Sequence, residues 1–304
     1  MSSFAVSVLG LEKSYGGQAA VSDVSFDVAE GEIFGLLGPN GAGKTTTLEC
    51  IEGLRRPDRG RLSVHGVDPQ ASPERLRGVV GVQLQSFGLP GNMRVGEALA
   101  FFASYHGVPP RVDLLRRFGL DERPKAQYQH LSTGQQRRLA LALAVAHDPP
   151  VLFLDEPTAG LDVATRADLH QMVLELRAAG KTVILTTHDM AEAEKLCDRV
   201  AVLLRGKIVA AGAPRELTAD GGGTTKVSVR TSGNSLDTLD LPGVAGFTKE
   251  GEYLMFLTST PGPSVAALIS HIETHGDSLV DLRVERPSLE ERFLELTNPG
   301  EAGR

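Results

Sequence analysis

Along the chain, short apolar runs alternate with stretches whose apolar residues recur at helical spacing. Phe4 to Leu9 and Ala20 to Val28 alternate or cluster apolar residues as strands do, with Ser14-Tyr15-Gly16-Gly17 as the turn between them. Ile33 to Leu37, Val79 to Leu84, Val151 to Leu154 and Lys181 to Thr187 are compact runs, which predicts strands of a covered, parallel sheet. Helix-like stretches separate them: Thr46 to Leu54, a piece around Pro73 to Arg77, Leu139 to Ala146, Val163 to Ala179 and Met190 to Leu196. Pro57 to Gly66 reads as turn, short strand, turn. Between 93 and 130, Val95, Leu99 and Phe102, and later Leu114, Leu115 and Phe118, fall at helical spacings, with breaks at Gly107 to Pro110 and Arg123-Pro124. This segment is predicted to be helices inserted beside the sheet, their apolar residues serving as core. A hairpin over Val200 to Val209, turned at Arg205-Gly206-Lys207, closes the first domain.

Beyond Gly212 the pattern changes. Gly221-Gly-Gly223 reads as a flexible joint, followed by strand-like runs at Thr225 to Arg230, Ala245 to Lys249, Tyr253 to Leu257 and Leu279 to Val284, with one amphipathic helix at Ser264 to Thr274. Such a βββαβ order predicts a small α+β domain. In the closing stretch RPSLEERFLELT, Ser288 and Glu291 form a helix start signal, and Leu289, Phe293 and Leu296 share a face. The expected division is a first domain over 3–220 with its helical insertion at about 93–147, a second over 224–297, and a tail over 298–304.

Composition narrows the function classes. The 304 residues suit one large domain with a smaller one. A formal net charge of −7 argues against nonspecific binding to DNA or RNA, which needs a basic face, so no nucleic-acid partner is expected. Cys50 and Cys197 have no metal or disulfide spacing and read as buried, inert thiols in a reducing compartment. The apolar stretch Leu139 to Leu154 is broken by His147, Asp148, Pro149 and Pro150, whereas a spanning helix needs about 20 apolar residues. The N-terminus lacks the basic region and apolar core of a secretory signal. A cytosolic protein is therefore expected, held at a membrane only by a partner.

The chemistry is concentrated at the ends of the predicted strands. Gly38-Pro-Asn-Gly-Ala-Gly-Lys-Thr45 fits the phosphate-loop pattern G-x-x-x-x-G-K-[ST] and lies between an apolar strand and a helix, as that loop requires. Gly38, Gly41 and Gly43 allow turns closed to other residues, so that successive N–H groups and a helix N-terminus face a triphosphate. Lys44 neutralises its β and γ phosphates, and the Thr45 hydroxyl becomes a Mg²⁺ ligand. Upstream, the ring of Tyr15 is suited to stack on a purine. Gln85, at the end of a parallel strand, carries an amide suited to Mg²⁺ or the attacking water. Ser132 and Gln135 form an S-x-x-Q capping box opening a long helix, and with Gly134 that helix start is also an anion site. Asp155 and Glu156 end a buried strand, where two adjacent acids repel one another unless a cation intervenes; Asp155 is assigned to Mg²⁺ and Glu156 to the attacking water. His188 ends the next strand and is read as a donor to the γ phosphate.

The order Tyr15, GPNGAGKT, Gln85, LSTGQ, LFLDEP, AGLD and THD resembles the nucleotide-binding domain of ATP-binding cassette (ABC) transporters over about residues 3 to 215. The resemblance implies an α/β P-loop NTPase cassette with an antiparallel β subdomain and a helical insertion, followed by the small α+β domain. It makes Tyr15 the adenine platform, Gln85 the Q-loop residue that senses the membrane partner, Asp155 and Glu156 the Walker B pair, Asp162 the D-loop residue and His188 the switch histidine. Asn40 and Thr46 join the phosphate loop among the ATP-binding residues, as does Gln135 in the signature sequence. Ser132 and Gly134 of that signature are implied to contact ATP held by the opposite subunit of a head-to-tail homodimer. ATP and Mg²⁺ follow as cofactors. Thr133 stands where the family usually has glycine, so its backbone is expected at an angle an ordinary β-branched residue adopts.

The tail resembles ABC-2 type exporter ATPases, including the daunorubicin and doxorubicin resistance subfamily. This implies an ATPase on the cytoplasmic face of the membrane that drives a separate permease exporting a drug, antibiotic or lipid-like substrate. Two other readings are weighed. A soluble ABC ATPase acting on ribosome or DNA is expected to carry a second cassette or long coiled coils, neither of which is present in the sequence. An importer ATPase is disfavoured by the tail.

Overall fold

The computed structural model describes residues 4–219, 225–238, 241, 244, 246–285 and 288–297. They belong to two compact units, Met1–Ala213 and Pro214–Arg304. In the first unit, β1 (Phe4–Tyr15) and β2 (Gln18–Ala29) form a hairpin turned by Gly16 and Gly17, both with positive φ. The turn is tighter than the predicted one because Ser14 pairs with Ala19 and Tyr15 with Gln18. The fully buried β3 (Ile33–Leu37) leads through the phosphate loop into α1 (Lys44–Ile51). β4 (Arg59–Val64) then pairs antiparallel with β1 to complete a sheet of order β2-β1-β4, the expected antiparallel subdomain.

α2 (Pro73–Val79) begins on a proline, which is preorganised for a first helical turn, and runs directly into β5 (Val80–Gln83). Val79, read from sequence as the start of this strand, instead closes the helix, and Leu84 lies beyond the strand. The inserted helices are α3 (Val95–Tyr105) and α4 (Asp113–Arg117), with α5 (Thr133–Ala144) following. Then β6 (Val151–Asp155), α6 (Val163–Ala178), β7 (Thr182–Thr187), α7 (Met190–Leu196), β8 (Arg199–Leu204) and β9 (Lys207–Gly212) finish the unit.

The main sheet has the order β5-β6-β7-β3-β8-β9, parallel except for β9 at its edge. Parallel pairing puts the carboxyl ends of β5, β6, β7 and β3 on one edge, where α/β sheets bind ligands. Every residue of β3, β6 and β7 is buried, as the unbroken apolar runs required. Phe26 of the antiparallel sheet stacks on Phe34 of β3 with ring centroids 4.9 Å apart, so both sheets share one core that also holds Phe153 and Ile184. Complete burial of such a side chain contributes about 1.5–3 kcal/mol, which makes the strand ends a rigid platform.

The second unit begins with α8 (Pro214–Ala219) and continues through β10 (Thr225–Thr231), β11 (Phe247–Glu250), β12 (Tyr253–Thr258), α9 (Pro261–Thr274), β13 (Leu279–Glu285) and α10 (Leu289–Thr297). Its antiparallel sheet has the order β11-β12-β10-β13, and Val227, Val229 and Phe256 on one face pack with Leu268 and Ile272 of α9. The βββαβ order is the one read from the sequence. The division at 213/214 falls earlier than the boundary at 220 because α8 packs on α10 within the second unit. α9 starts at Pro261, ahead of the predicted Ser264, whose hydroxyl is 2.7 Å from that of Thr258 inside the fold. Ser288 and Glu291 exchange the backbone hydrogen bonds of a capping box. The glycine joint at 221–223 and the tail at 298–304 lie outside the described residues.

Candidate functional site

The phosphate loop is shaped by contacts that exclude side chains. A Cβ on Gly38 (φ 148°) would lie 2.3 Å from the Leu203 carbonyl oxygen, and one on Gly43 (φ 105°) 2.5 Å from that of Ala20, so the loop rests directly on the backbone of β8 and β2. It opens onto a cleft of about 440 Å³ lined by Tyr15, Ala20, Asn40, Gly41, Ala42, Gly43, Lys44, Thr45, Thr46, Gln85 and Glu156. That volume is in the range of small-molecule sites. Tyr15 stands at its mouth with Lys13 Nζ 5.6 Å and Arg55 Cζ 5.3 Å from its ring centroid.

Lys44 is buried, and its Nζ donates to the carbonyl oxygens of Gly38 at 2.7 Å and Pro39 at 3.2 Å while lying 3.8 Å from Glu156 Oε1. Burial lowers its pKa, against the opposing pull of Glu156 and Asp155. The Thr45 hydroxyl donates to Asp155 Oδ2 at 3.2 Å. Burial raises the pKa of Asp155, and hydrogen bonds from Thr186 and Thr45 hold it back. Thr45 and Asp155 thus place two hard oxygen donors together beside the phosphate loop, a donor set that fits Mg²⁺.

Glu156 is the point where the strand ends meet. Gln85 Nε2 donates to its Oε2 at 3.3 Å, His188 Nδ1 lies 3.3 Å from its Oε1, and Lys44 approaches the same oxygen. Its backbone takes φ 45°, a conformation costly for a side chain with a Cβ. The Glu156 N–H donates to the Thr186 carbonyl at 3.2 Å and hydroxyl at 3.0 Å, and the Thr186 hydroxyl itself donates to Asp155 Oδ1. Thr186 therefore fixes the carboxylate of Asp155 and the backbone of Glu156. Its role is not legible in the sequence, because a threonine inside KTVILTT reads as a β-branched strand residue. Nor is that of Arg137, whose Nη1 donates to the Gln85 carbonyl at 2.9 Å and ties that loop to α5.

Ser132, Gly134, Gln135 and Asp162 do not line the cleft. Ser132 Oγ accepts from the Gln135 N–H at 3.2 Å and Gln135 Oε1 from the Ser132 N–H at 3.0 Å, so the expected capping box is formed. Asp162 caps α6 by accepting from the N–H and hydroxyl of Thr165 at 3.0 and 2.7 Å. The two helix starts abut: a Cβ on Gly134 would lie 2.4 Å from Thr165 Cγ2. Thr133 begins α5 and is not among the residues with positive φ, as a β-branched residue requires. This capped ridge stands apart from the phosphate-loop cleft within the chain.

A second depression, about 330 Å³, lies between α2, α3 and α5, with Leu76, Phe102, Tyr105, His147 and Glu52 in its wall. Leu54, Leu84, Phe101 and Tyr105 are exposed apolar or aromatic residues of this unit. Burial and the nearby charges of Asp155 and Glu49 push the Glu52 carboxyl up to about 8, and its Oε1 has no hydrogen-bond partner among the described residues. His147 stacks on His106 at 3.6 Å and is pushed down to about 4 by burial. Both cysteines are buried; burial raises the pKa of each thiol, that of Cys50 to about 11, away from the reactive thiolate. No described helix is long and apolar enough to cross a membrane.

Comparison with known proteins agrees with this geometry. A family model described as ABC transporter matches residues 21–159. The chain is 41% identical over 301 residues to the Nod factor export ATP-binding protein I of Ralstonia nicotianae, covering 96% of this chain and 93% of that protein. A solved ATP-binding subunit of an ABC transporter aligns with a TM-score of 0.66 at 31% identity, over 72% of this chain and 93% of that one. A dimeric ATP-binding cassette in a post-hydrolysis state, bound to ADP and Pi, aligns with a TM-score of 0.62 at 28% identity, over 68% and 98%.

Proposed function

Since this chain belongs to the ABC transporter family as an ATP-binding, ATP-hydrolysing subunit, we propose that it energises export through a separate integral membrane permease of the ABC-2 type. It acts as a head-to-tail homodimer on the cytoplasmic face of the membrane. The observation that carries the export reading is the 41% identity, over 96% of this chain, to a protein named for export. That coverage takes in the second unit as well as the cassette.

The site supports a division of labour. Asn40 to Thr46 and Lys44 receive the triphosphate, with Tyr15 against the base. Thr45, Asp155 and Gln85 would hold Mg²⁺, which supplies charge neutralisation at the phosphates when bound. Glu156 orients the attacking water and takes its proton, and His188 beside it donates to the γ phosphate. Ser132, Gly134, Gln135 and Asp162, which lie off the cleft of their own chain, complete the site of the partner copy. The membrane partner docks on the apolar depression walled by Val82 of β5 and Phe102 of α3, and its movement reaches Glu156 along the chain from Val82 to the Gln85 amide.

The test is purification of the tagged chain from detergent-solubilised membranes. An integral membrane protein that co-purifies in a fixed ratio, and raises ATPase activity when both are reconstituted in vesicles, is the expected result. Recovery of the chain from the soluble fraction on ribosomes or DNA, with no integral protein, would replace export by the soluble ABC reading.

A further inference from the structure

The depression between α2, α3 and α5 has in its wall an acid that the chain's own contacts do not use. Glu52, just past the carboxyl end of α1, is 6% exposed, and its Oε1 has no hydrogen-bond partner among the described residues. The charges that act on its carboxyl are those of Asp155 of β6 and Glu49 of α1, both acids, and Glu49 is itself paired with Arg55. The basic groups in the same wall are committed or neutral. Arg77 of α2 donates to the Tyr105 hydroxyl at 2.9 Å, its guanidinium 5.9 Å from that ring's centroid. His147 stacks on His106 at 3.6 Å, and burial above all holds both rings below the ordinary histidine pKa. An acid taken out of water without a counter-charge costs stability. Here it stands beside an open cavity whose aromatic faces, Phe102 and Tyr105 among them, can cover an alkyl stem and attract a cation.

Given the permease docking proposed above, we infer that the docking segment inserts a lysine or arginine side chain into this depression, its stem against Leu76 and Phe102 and its charged head on the Glu52 carboxylate. A neutral segment would leave the carboxyl buried and unpaired beneath it, and an acidic one would add a second like charge. Docking of a cation also moves a proton. Burial, with the two neighbouring acids, pushes the free carboxyl up to about 8, so it is protonated at neutral pH. A cation against it favours the charged form, and the proton leaves to solvent as the pair forms. Affinity for the cation should therefore rise with pH, by up to about tenfold per unit, and level off above about 8.

The full chain, free of nucleotide and Mg²⁺, is tested with hexylammonium, which has the stem and head of a lysine, and with hexanol, its neutral counterpart. In ligand-observed NMR at pH 8, hexylammonium should bind the parent chain tenfold or more tightly than it binds Glu52→Gln, while hexanol, which checks the fold of the cavity, should bind both alike. From pH 6 to pH 8 the affinity for hexylammonium should rise in the parent and stay flat in the variant. Equal binding of hexylammonium by both chains, or a pH dependence that survives in Glu52→Gln, would overturn the cation site. With the permease recovered from membranes, Glu52→Gln should weaken assembly tenfold or more. Undiminished assembly of that variant would overturn the pairing, whereas recovery of no integral protein with the parent chain would overturn the export reading itself.

Discussion

Replacing Thr186 by valine keeps the shape of a fully buried strand residue and removes only its hydroxyl. Two bonds go with it: the one donated to the Asp155 carboxylate and the one accepted from the Glu156 N–H. A hydrogen bond to a charged group contributes about 1.5–3 kcal/mol and a neutral one about 0.5–1.5, and the Glu156 N–H keeps the Thr186 carbonyl as a partner, so the loss should be about 2–4 kcal/mol. The pH dependence has a definite sign. Burial already raises the folded-state pKa of Asp155, and the Thr186 bond is the largest influence opposing that rise. Removing it raises the folded pKa further, so the destabilisation is full at neutral pH, where the carboxylate is charged, and narrows as pH falls toward the ordinary carboxylate range of about 4. Urea unfolding at several pH values measures both effects. Thr186→Ser, which keeps the hydroxyl, should stay within about 1 kcal/mol of the parent. A Thr186→Val chain that unfolds at the parent's urea concentration at neutral pH would refute the role given to this residue.

Gly134→Ala should destabilise the first unit by about 1–3 kcal/mol, because its methyl meets Thr165 Cγ2 at 2.4 Å, and the added change Thr165→Ser should recover most of that in thermal melts. Asp277→Ala should lower the melting temperature of the second unit, since this carboxylate accepts from the hydroxyls of Ser232 and Ser235 and the N–H groups of Gly233, Ser235 and Ser278. Those bonds depress its pKa, so its stabilisation is present above the ordinary carboxylate pKa of about 4 and lost as pH falls through the lower folded value; the variant should lose that part of the acid sensitivity. Thr133→Gly should keep or raise ATPase activity, because Thr133 begins α5 at an ordinary backbone angle; a tenfold loss, about 1.4 kcal/mol in the barrier, would show that its hydroxyl has a role.

What the sequence made legible was whatever a backbone forces on residue choice. Gly38 and Gly43 are dictated by positive φ and by carbonyl oxygens that leave no room for a Cβ, so the phosphate loop was visible as spacing alone. The β3, β6 and β7 runs were visible because strands buried on both faces are apolar throughout. Val79 was not assignable in this way, since a short apolar run does not distinguish the end of a helix from the start of a strand. Thr186 and Arg137 were hidden for a different reason. Each acts through partners far away in sequence, as Thr186 does with Asp155 31 positions earlier and Arg137 with Gln85 52 positions earlier. The 213/214 division was hidden likewise, being set by α8 meeting α10 near the other end of the unit.

The central claim, that Glu156 drives hydrolysis at a site completed by a second copy, is tested most directly with Glu156→Gln. The amide keeps the shape of the carboxylate but cannot take a proton. ATP binding should be spared and hydrolysis slowed by about 10²- to 10⁴-fold, the usual contribution of a positioned general base. ATP should then stay trapped between the phosphate loop of one copy and Ser132 and Gly134 of the other. Light scattering on a size-exclusion column with ATP should accordingly show the variant collecting in a nucleotide-dependent dimer that the parent chain forms only transiently. A variant that hydrolyses ATP at the parent rate, or one that stalls with ATP bound and shows no ATP-dependent dimer, would contradict the account.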